Sequence, residues 1–144
     1  MRAEAPGLDR IRTLLTDHGK VAQIARLLGA RVLSVESGLV LVEFAVKAEF
    51  MHPGGAVQGG IVTAYVDMCM ALAAHTFFDH GEFLSTSSIT VNFLAPVTEG
   101  PVLGEGRVIR KGRSTVFLEA ALRSAAGTEY ARASSVGAIR RPQK

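Results

Sequence analysis

The residues best suited to chemistry lie close together, in the stretch MHPGGAVQGGIVTAYVD at residues 51–67. Asp67 stands inside an otherwise apolar run, where an unpaired buried carboxylate would cost several kcal/mol. A partner must therefore satisfy it. A carboxylate in such a place can serve as a general base for water or as a nucleophile towards a carbonyl carbon. An aspartate that only bonds to neighbouring strands or water is the structural alternative.

Two adjacent glycines, Gly59 and Gly60, precede this apolar run. Backbone N–H groups at the start of a helix have no intrahelical acceptor, and the helix dipole favours negative charge there. Because glycine has no side chain, a substrate can come close to those N–H groups, as an oxyanion formed from a carbonyl group requires. A flexible turn or close helix packing would also explain a glycine pair. The Gly-Lys-Ser/Thr ending of a nucleotide-binding P-loop does not follow the pair.

The elements that must position these residues are indicated by the spacing of apolar residues. Helical spacing over residues 8–28 predicts a helix divided at Gly19, and alternation over residues 31–46 with a turn at Gly38 predicts a β-hairpin. Residues 61–78 predict a long helix that is apolar on nearly all sides and so buried all round. Four segments with strand character follow: 86–94, 102–110, 114–123 and 129–139.

The order of these elements is helix, hairpin, long helix and four consecutive strands. Consecutive strands without crossover helices favour an antiparallel sheet in an α+β fold, and such a sheet can curl around one central apolar helix. A chain of 144 residues fits one domain. We therefore predict a single domain over residues 1–144, with an N-terminal helical segment at 1–28 and the central helix at 58–78.

The composition excludes several classes of protein. The chain is 48% apolar and 20% charged, with a formal net charge of +3, which are ordinary values for a globular protein. Its basic residues are scattered, without the interleaved aromatic residues of a nucleic-acid platform, although they would suit a small polyanion. The single cysteine, Cys69, cannot form an intrachain disulfide. Because the N-terminus lacks a secretory signal and residues 61–78 are too polar for a membrane span, we expect a cytoplasmic protein without membrane or nucleic-acid partners.

Residues 51–75 resemble the helix start of the phenylacetate-degradation, or PaaI-like, branch of the hotdog-fold thioesterases. The downstream segments ITVNFLAP and VIRKGRSTVFLEA are similar to strands of that family, and the resemblance covers roughly residues 25–140. It implies the hotdog fold, in which an antiparallel β-sheet wraps around a long central apolar helix. It also implies an acyl-CoA thioesterase, which hydrolyses an acyl- or aryl-CoA thioester to free acid and CoA with no cofactor besides the CoA of its substrate.

The branch typically shows an asparagine, a His-Gly-Gly at the helix start and an aspartate seven residues beyond the second glycine. By this resemblance Asp67 is the base or nucleophile, Gly59 stabilises the oxyanion and Gly60 adjoins the substrate. Two positions depart from the pattern, because Gln58 replaces the histidine and His52 replaces the asparagine. Gln58 can donate a hydrogen bond to a thioester but cannot carry a proton at neutral pH. His52 can do both, and a loop histidine that only packs is the alternative.

Three further residues are candidates for substrate binding. Thr86 aligns with the serine or threonine that helps to place the attacking water in the resembling family, and the serines around it leave its register open by one or two residues. Arg110 and Arg113 stand in a turn between strands, where guanidinium groups would suit the phosphates of CoA and a solvated turn is the alternative. The histidines are not at recognisable metal-ligand spacings, so no metal is predicted.

The spacing of Gly60 and Asp67 along the predicted helix has a consequence for the oligomeric state. Gly60 and Asp67 are seven residues apart, which places them about 10 Å apart along one helix, so one thioester carbonyl cannot touch both. A second subunit with an antiparallel helix would bring its Asp67 opposite the first Gly59, and the two-fold operation would create two equal sites. We therefore expect a homodimer with active sites at the interface, or a dimer of two such dimers.

Two other functions fit parts of the pattern. His52 and Asp67 are fifteen residues apart, which resembles the histidine and acidic residue of the hotdog-fold hydratases and dehydratases that act on enoyl and hydroxyacyl thioesters. Those enzymes, however, have a Pro-Gly pair where this chain has Gly59 and Gly60. The second alternative is a non-catalytic module that binds acyl-CoA. Reversible hydration of an enoyl thioester would favour the first alternative, and tight binding without turnover would favour the second.

Overall fold

In the computed structural model, which describes residues 4–143, the chain begins with two short helices rather than one long one. These are α1 (Pro6–Arg12) and α2 (Gln23–Leu27), joined by 3-10 turns at Thr13–Leu15 and His18–Lys20. The expected division at Gly19 therefore falls within a 3-10 turn. Residues 1–3 of the predicted N-terminal segment and the last residue of the predicted domain lie outside the described residues.

A β-hairpin follows the second helix, as predicted. Its strands are β1 (Arg31–Glu36) and β2 (Leu39–Phe44). The turn between them contains Gly38, whose φ of +75° is a conformation that residues with a side chain rarely adopt. Every second residue of β2 is buried, so the alternation in the sequence correctly marks the face that packs on the core.

The long helix α3 spans Gly59–His75 and is therefore slightly shorter than the predicted range of 58–78. Thr76 terminates it and ties its end to the hairpin. The Thr76 hydroxyl donates to the carbonyl oxygen of Ala73 at 2.7 Å and accepts from the N–H of Gly38 at 2.8 Å. These two bonds fix the end of the helix relative to the sheet.

Helix α3 is buried on one side only, so the expectation of burial all round is wrong for a single chain. The side that faces the sheet carries the buried residues Val62, Tyr65, Val66, Cys69, Met70, Ala73 and Ala74. The half-exposed side carries Ala64, Asp67, Met68, Ala71 and Leu72. A half-exposed helix side made mainly of apolar residues favours a further covering surface. Within residues 4–143, no helix is long and apolar enough to cross a membrane.

Six antiparallel strands form one sheet in the order β1-β2-β4-β5-β6-β3. The last four strands are β3 (Phe83–Phe93), β4 (Val102–Lys111), β5 (Thr115–Ser124) and β6 (Glu129–Arg140). Helix α3 packs on the inner face of this sheet, mainly against β4 and β5. The predicted α+β arrangement of an antiparallel sheet around a central helix is therefore correct, and β1 and β3 form the two edges.

Two glycines of β4 allow α3 to approach the sheet closely. A Cβ atom on Gly106 would lie 2.0 Å from the carbonyl oxygen of Cys69, and one on Gly104 would lie 2.5 Å from its Sγ. A side chain at either position would push the helix away from the sheet. The two glycines therefore set the depth at which α3 sits and, with it, the position of every side chain that the helix carries.

Candidate active site

Asp67 lies near the middle of α3, on its half-exposed side, and is held by the sheet. The hydroxyl of Thr86 in β3 donates a hydrogen bond to Asp67 Oδ1 at 2.9 Å. No side chain within residues 4–143 donates a hydrogen bond to the other carboxylate oxygen, Oδ2. The carboxylate is thus oriented through one oxygen, while the second can meet a water molecule or a substrate.

A β-bulge sets the direction in which Thr86 points. Ser87 is an extra residue between two regular cross-strand pairs, Thr86 with Gly137 and Ser88 with Val136. The bulge places Thr86 on the face of the sheet that packs on α3, where its hydroxyl reaches Asp67. Bulges often occur beside active sites, because they redirect a side chain without breaking the sheet.

The start of α3 presents backbone N–H groups without acceptors. The carbonyl oxygen of Gln58 accepts the N–H of Ile61 at 2.9 Å, whereas no backbone acceptor among the described residues pairs with the N–H of Gly59 or Gly60. A Cβ atom on Gly60 would have no atom within 4 Å, and the nearest neighbour of one on Gly59 would be the ring of Phe93 at 3.3 Å. Such an open helix terminus can accommodate a negatively charged oxygen.

The loop before α3 carries the two residues that depart from the family pattern. A hydrogen bond of 2.8 Å from the Val57 N–H to the Val97 carbonyl oxygen anchors the loop. Nδ1 of His52 accepts the Gly54 N–H at 2.9 Å, so a neutral His52 ring carries its proton on Nε2 and can donate from there. Gln58 occupies the N-cap position but does not cap the helix with its side chain. The exposed amide of Gln58 can therefore contact a ligand.

The candidate residues line two separate cavities. One is a groove of about 330 Å³ beside the loop, bounded by His52, Gly59, Phe93 and Tyr130 among others, which we call the loop groove. The other is a cavity of about 620 Å³ bounded by Asp67 and by the N-terminal segment, which we call the helix cavity. Within one chain, therefore, the oxyanion candidate and the carboxylate do not share a site.

The helix cavity lies between the N-terminal segment and the half-exposed side of α3. Its walls are mainly apolar, with Ile11, Leu14, Ile24 and Val32 on one side and Ala64, Met68, Ala71 and Leu72 on the other. Sequence reasoning assigned no role to the N-terminal segment or to His75, which also lines this cavity. Helical spacing in the sequence predicts which face of a helix is apolar. It does not predict that a cavity separates this face from the element opposite it.

His75 is the last residue of α3, and one of its ring nitrogens is already engaged. Nδ1 lies 2.6 Å from the carbonyl oxygen of Ala71, and because a carbonyl oxygen only accepts, Nδ1 carries the proton. Burial lowers the pKa of His75, the hydrogen bond to Ala71 opposes this in part, and the nearby guanidinium of Arg10 lowers the pKa further. The ring is therefore neutral at neutral pH.

The two arginines predicted to bind the phosphates of CoA lie apart from both cavities. Arg110 is near the end of β4 and Arg113 is in the turn that follows, and both are exposed. The guanidinium of Arg141 donates to the carbonyl oxygen of Arg113 at 3.0 Å. Within one chain, neither arginine lines the cavity of Asp67 or the loop groove.

Comparison with known sequences adds an independent observation. The sequence model of the thioesterase superfamily matches residues 54–131. A predicted esterase of Saccharolobus solfataricus is 34% identical over 125 residues, which cover 87% of this chain and 89% of that protein. The match to the family includes the helix start, Asp67 and Thr86, so it covers the residues from which the candidate site is built.

Comparison with solved structures addresses the fold. A predicted thioesterase of Ralstonia eutropha JMP134, described as related to phenylacetic acid degradation, matches with a TM-score of 0.82 and 25% identity, over 89% of this chain and 98% of that one. The E. coli PaaI protein from the phenylacetic acid degradation operon matches with a TM-score of 0.80 and 18% identity, over 94% of this chain and 96% of that one. The predicted hotdog fold and the resemblance to PaaI-like thioesterases are thereby confirmed.

Proposed function

Because the chain belongs to the thioesterase superfamily and is a thioester hydrolase, we propose that it hydrolyses acyl- or aryl-CoA thioesters to the free acid and CoA. The observation that carries this proposal is the position of Asp67. Its carboxylate is oriented by Thr86 at 2.9 Å and adjoins an apolar cavity of about 620 Å³. That volume is within the range of cavities that hold small ligands.

In the proposed reaction, Asp67 accepts a proton from a water molecule whose oxygen attacks the thioester carbonyl carbon. The carbonyl oxygen becomes an oxyanion and is stabilised by the N–H groups at the start of α3, foremost that of Gly59. The C–S bond then breaks, and the departing CoA thiolate takes up the proton. Direct attack by Asp67 would instead form an acyl anhydride that water hydrolyses, and the same residues serve both routes.

Gln58 and His52 are proposed to orient the thioester. The exposed amide of Gln58 and the Nε2–H of His52 can both donate to a carbonyl oxygen or to the amide groups of the pantetheine arm. Neither residue needs to carry a proton in the reaction, which is consistent with a glutamine in place of the family histidine. Gly60 adjoins them and leaves the substrate room, since nothing lies within 4 Å of the position where its Cβ would be.

The site requires a second copy of the chain. Gly59 and Asp67 line different cavities, and the half-exposed side of α3 is covered only in part, because the helix cavity separates it from the N-terminal segment. Strand β3 is an eleven-residue edge strand, and a long edge with free N–H and C=O groups readily pairs with another strand. Antiparallel pairing of β3 with β3 of the partner would bring the partner's α3 alongside, so that Asp67 of one subunit meets Gly59 of the other.

Two surfaces outside the cavities are proposed to bind the rest of the substrate and a second dimer. Arg110 and Arg113 are proposed to bind CoA phosphates that extend beyond the cavities, where exposed guanidinium groups suit anionic oxygens. The outer face of the sheet carries Ile109 and Phe117, which are 51% and 45% exposed. A dimer of two dimers would cover this apolar patch.

The test is CoA release, followed with a thiol reagent over a panel of fatty acyl- and aryl-CoA thioesters. Burial raises the pKa of the Cys69 thiol, so the only cysteine of the protein should not consume the reagent. Asp67→Asn keeps the shape of the side chain but removes its basicity, and we expect turnover to fall at least about a hundredfold. Asp79→Asn, at an exposed residue outside both cavities, is the matched control. An unchanged rate for Asp67→Asn would overturn the mechanism.

The same panel tests the two alternatives. An enoyl-CoA that gains water without releasing CoA would identify a hydratase. Saturable binding of acyl-CoA without any turnover would identify a binding module. CoA release that depends on Asp67 contradicts both, because neither alternative breaks the C–S bond.

A further inference from the structure

The two glycines at the start of α3 leave the helix terminus weakly restrained. Glycine has the greatest backbone freedom and a low helix propensity, and it occupies the first two helical positions, Gly59 and Gly60. The side chain of Gln58 does not cap the helix, and the first turn, residues 59–62, carries no acidic residue. A capping side chain would occupy the N–H groups that the substrate needs. Something other than a cap must therefore keep these N–H groups in place.

Backbone hydrogen bonds fix the first of the two peptide units whose N–H groups lie at the open helix start. The carbonyl oxygen of Gln58 accepts the N–H of Ile61 at 2.9 Å and that of Val62 at 3.1 Å. Because a peptide unit is planar and trans, these bonds also fix the N–H of Gly59, which points the opposite way. This donor therefore needs no side chain to hold it.

The next peptide unit, between Gly59 and Gly60, is held by Thr63. The hydroxyl of Thr63 donates a hydrogen bond to the carbonyl oxygen of Gly59 at 2.8 Å, and the side chain is half-buried. In an α-helix the same oxygen also accepts the backbone N–H four residues further on, which is that of Thr63 itself. One residue thus supplies two hydrogen bonds to this carbonyl oxygen, and the planar peptide unit transmits the restraint to the N–H of Gly60.

A threonine is well suited to hold and polarise this peptide unit. Its β-branched side chain has few rotamers in a helix, and its hydroxyl can bond back to a carbonyl oxygen of the preceding turn. A hydrogen bond accepted by a carbonyl oxygen polarises the peptide unit, so that the N–H on its other side becomes a stronger donor. Nothing lies within 4 Å of the position where a Cβ atom of Gly60 would be, which leaves room for a ligand beside this N–H.

We propose, on the basis of the thioester hydrolysis above, that Thr63 is a positioning residue for that reaction. It holds the peptide unit between Gly59 and Gly60, so that the N–H of Gly60 donates to the oxyanion beside the N–H of Gly59. Thr63 itself contacts neither the thioester nor the attacking water, and its effect reaches the reaction through the backbone. Because the carbonyl oxygen carries most negative charge in the transition state, this second donor contributes to the rate more than to substrate binding.

The kinetic experiment compares Thr63→Val and Thr63→Ser with the wild type, on an acyl-CoA thioester that the wild type hydrolyses. Valine keeps the branched shape but lacks the hydroxyl, so kcat should fall by about fivefold or more while KM stays within about twofold. Serine keeps the hydroxyl, and kcat of Thr63→Ser should stay within about threefold of the wild type.

Thr76→Val is the matched control for the kinetics. It also removes a hydroxyl that donates to a helix carbonyl oxygen, that of Ala73 at 2.7 Å, but at the other end of α3. Its stability to urea should fall, because Thr76 is buried and the N–H of Gly38 loses its acceptor. Its kcat should equal that of the wild type, which separates loss of a helix hydrogen bond from loss of a positioned donor.

Backbone amide relaxation measured by NMR supplies a readout that does not depend on activity. We expect the order parameter of the Gly60 amide to fall from about 0.85 towards about 0.6 in Thr63→Val. It should stay near the wild-type value in Thr63→Ser and in Thr76→Val. If Thr63→Val does not fold, Thr63→Ala takes its place, since alanine also lacks the hydroxyl and favours the helix.

The outcomes separate this proposal from the proposed function. Absence of CoA release by the wild type over the whole panel would overturn the thioesterase proposal and, with it, the part of Thr63 in the reaction. If the wild type releases CoA, an unchanged kcat in a folded Thr63→Val would overturn only the role of Thr63. Equal losses of kcat in Thr63→Val and Thr63→Ser, or a loss without any change in the Gly60 order parameter, would contradict an action of the hydroxyl through the peptide unit.

Discussion

At the scale of single residues, the hydrogen bond from Thr86 to Asp67 is the contact on which the proposed chemistry depends most directly. Thr86→Val keeps the shape of the side chain and removes the donor that orients Asp67 Oδ1 at 2.9 Å. We expect kcat to fall by about tenfold or more with KM nearly unchanged, because a misoriented base loses rate rather than affinity. Steady-state kinetics with an acyl-CoA that the wild type hydrolyses would measure this.

Thr90→Val is the matched control for that variant. Thr90 lies in the same strand but pairs with Ser134 on the outer face of the sheet. The same replacement of a hydroxyl group by a methyl group at Thr90 should leave kcat unchanged. Equal losses in both variants would mean that the hydroxyls support the strand rather than the carboxylate.

A second prediction at this scale concerns the stability of the protein in mild acid. The pKa of His75 is lower in the folded than in the unfolded chain, chiefly because of burial, with Arg10 adding to the effect. Below about pH 6.5 the unfolded chain therefore binds a proton at His75 that the folded chain does not, so stability falls as the pH falls. Urea unfolding at about pH 7.5 and about pH 5.5 should show a larger drop for the wild type than for His75→Gln.

His80→Gln provides the control for the acid prediction. His80 is exposed in the turn after α3, so its replacement should preserve the pH dependence of the wild type. If the two glutamine variants changed the pH dependence equally, burial of His75 would not be its cause.

The residues of the candidate site were predictable from the sequence to different degrees. Asp67 stands out because a carboxylate in an apolar helix demands a partner, and the family resemblance supplied Thr86 as one candidate. The bulge at Ser87, which decides that Thr86 faces α3, has no signature in a run of serines and threonines. His75 was not assigned, because a histidine in the last helical turn commonly bonds only to the preceding carbonyl oxygens.

At the scale of elements, a substitution at the start of α3 should lower the activity of the protein without lowering its stability. Gly60→Ala adds a methyl group where nothing lies within 4 Å and removes the conformational freedom of glycine, so stability should be unchanged or rise by up to about 1 kcal/mol. The same methyl group would obstruct a substrate at the N–H groups, and we expect kcat/KM to fall by about tenfold or more. Chemical unfolding and kinetics on one preparation would measure both.

Gly106→Ala is the contrasting variant. Its Cβ would lie 2.0 Å from the carbonyl oxygen of Cys69, a backbone atom that cannot move without shifting α3. Its free energy of unfolding should fall by about 3 kcal/mol or more, as overpacking against backbone implies. A Gly60→Ala variant that lost stability to a similar extent would show that Gly60 is required for packing rather than for access.

The strands and the hairpin were predictable because apolar and polar residues alternate along a strand that packs one face on the core. The start of β3 was missed by three residues, since Phe83–Phe93 opens with a segment whose strand structure comes from pairing with β6. The burial of α3 was misjudged for a different reason. Its apolar composition is a correct signal that the helix is covered, but composition does not say whether the cover comes from the same chain.

At the scale of the whole molecule, the helix cavity brings together residues distant in sequence, such as Leu14 and Leu72. The cavity exists because the N-terminal segment and α3 do not pack against each other along their whole length. No local sequence pattern encodes such a gap. The dimer, in contrast, is a proposal that follows from spacing. With a rise of about 10 Å between Gly60 and Asp67, one thioester could meet both groups only if a second helix supplied one of them.

That assembly can be tested by complementation between two inactive variants. In a dimer of Asp67→Asn with Gly60→Val, one site combines the intact glycine of the first subunit with the intact aspartate of the second, while the other site has both defects. Random association makes about half of the dimers mixed, each with one working site of two, so co-refolded variants should recover about a quarter of the wild-type activity. If each site lay within one chain, every subunit would carry a defect and co-refolding would recover nothing. The same variants refolded separately and mixed just before the assay should stay inactive, because each homodimer lacks an intact pair.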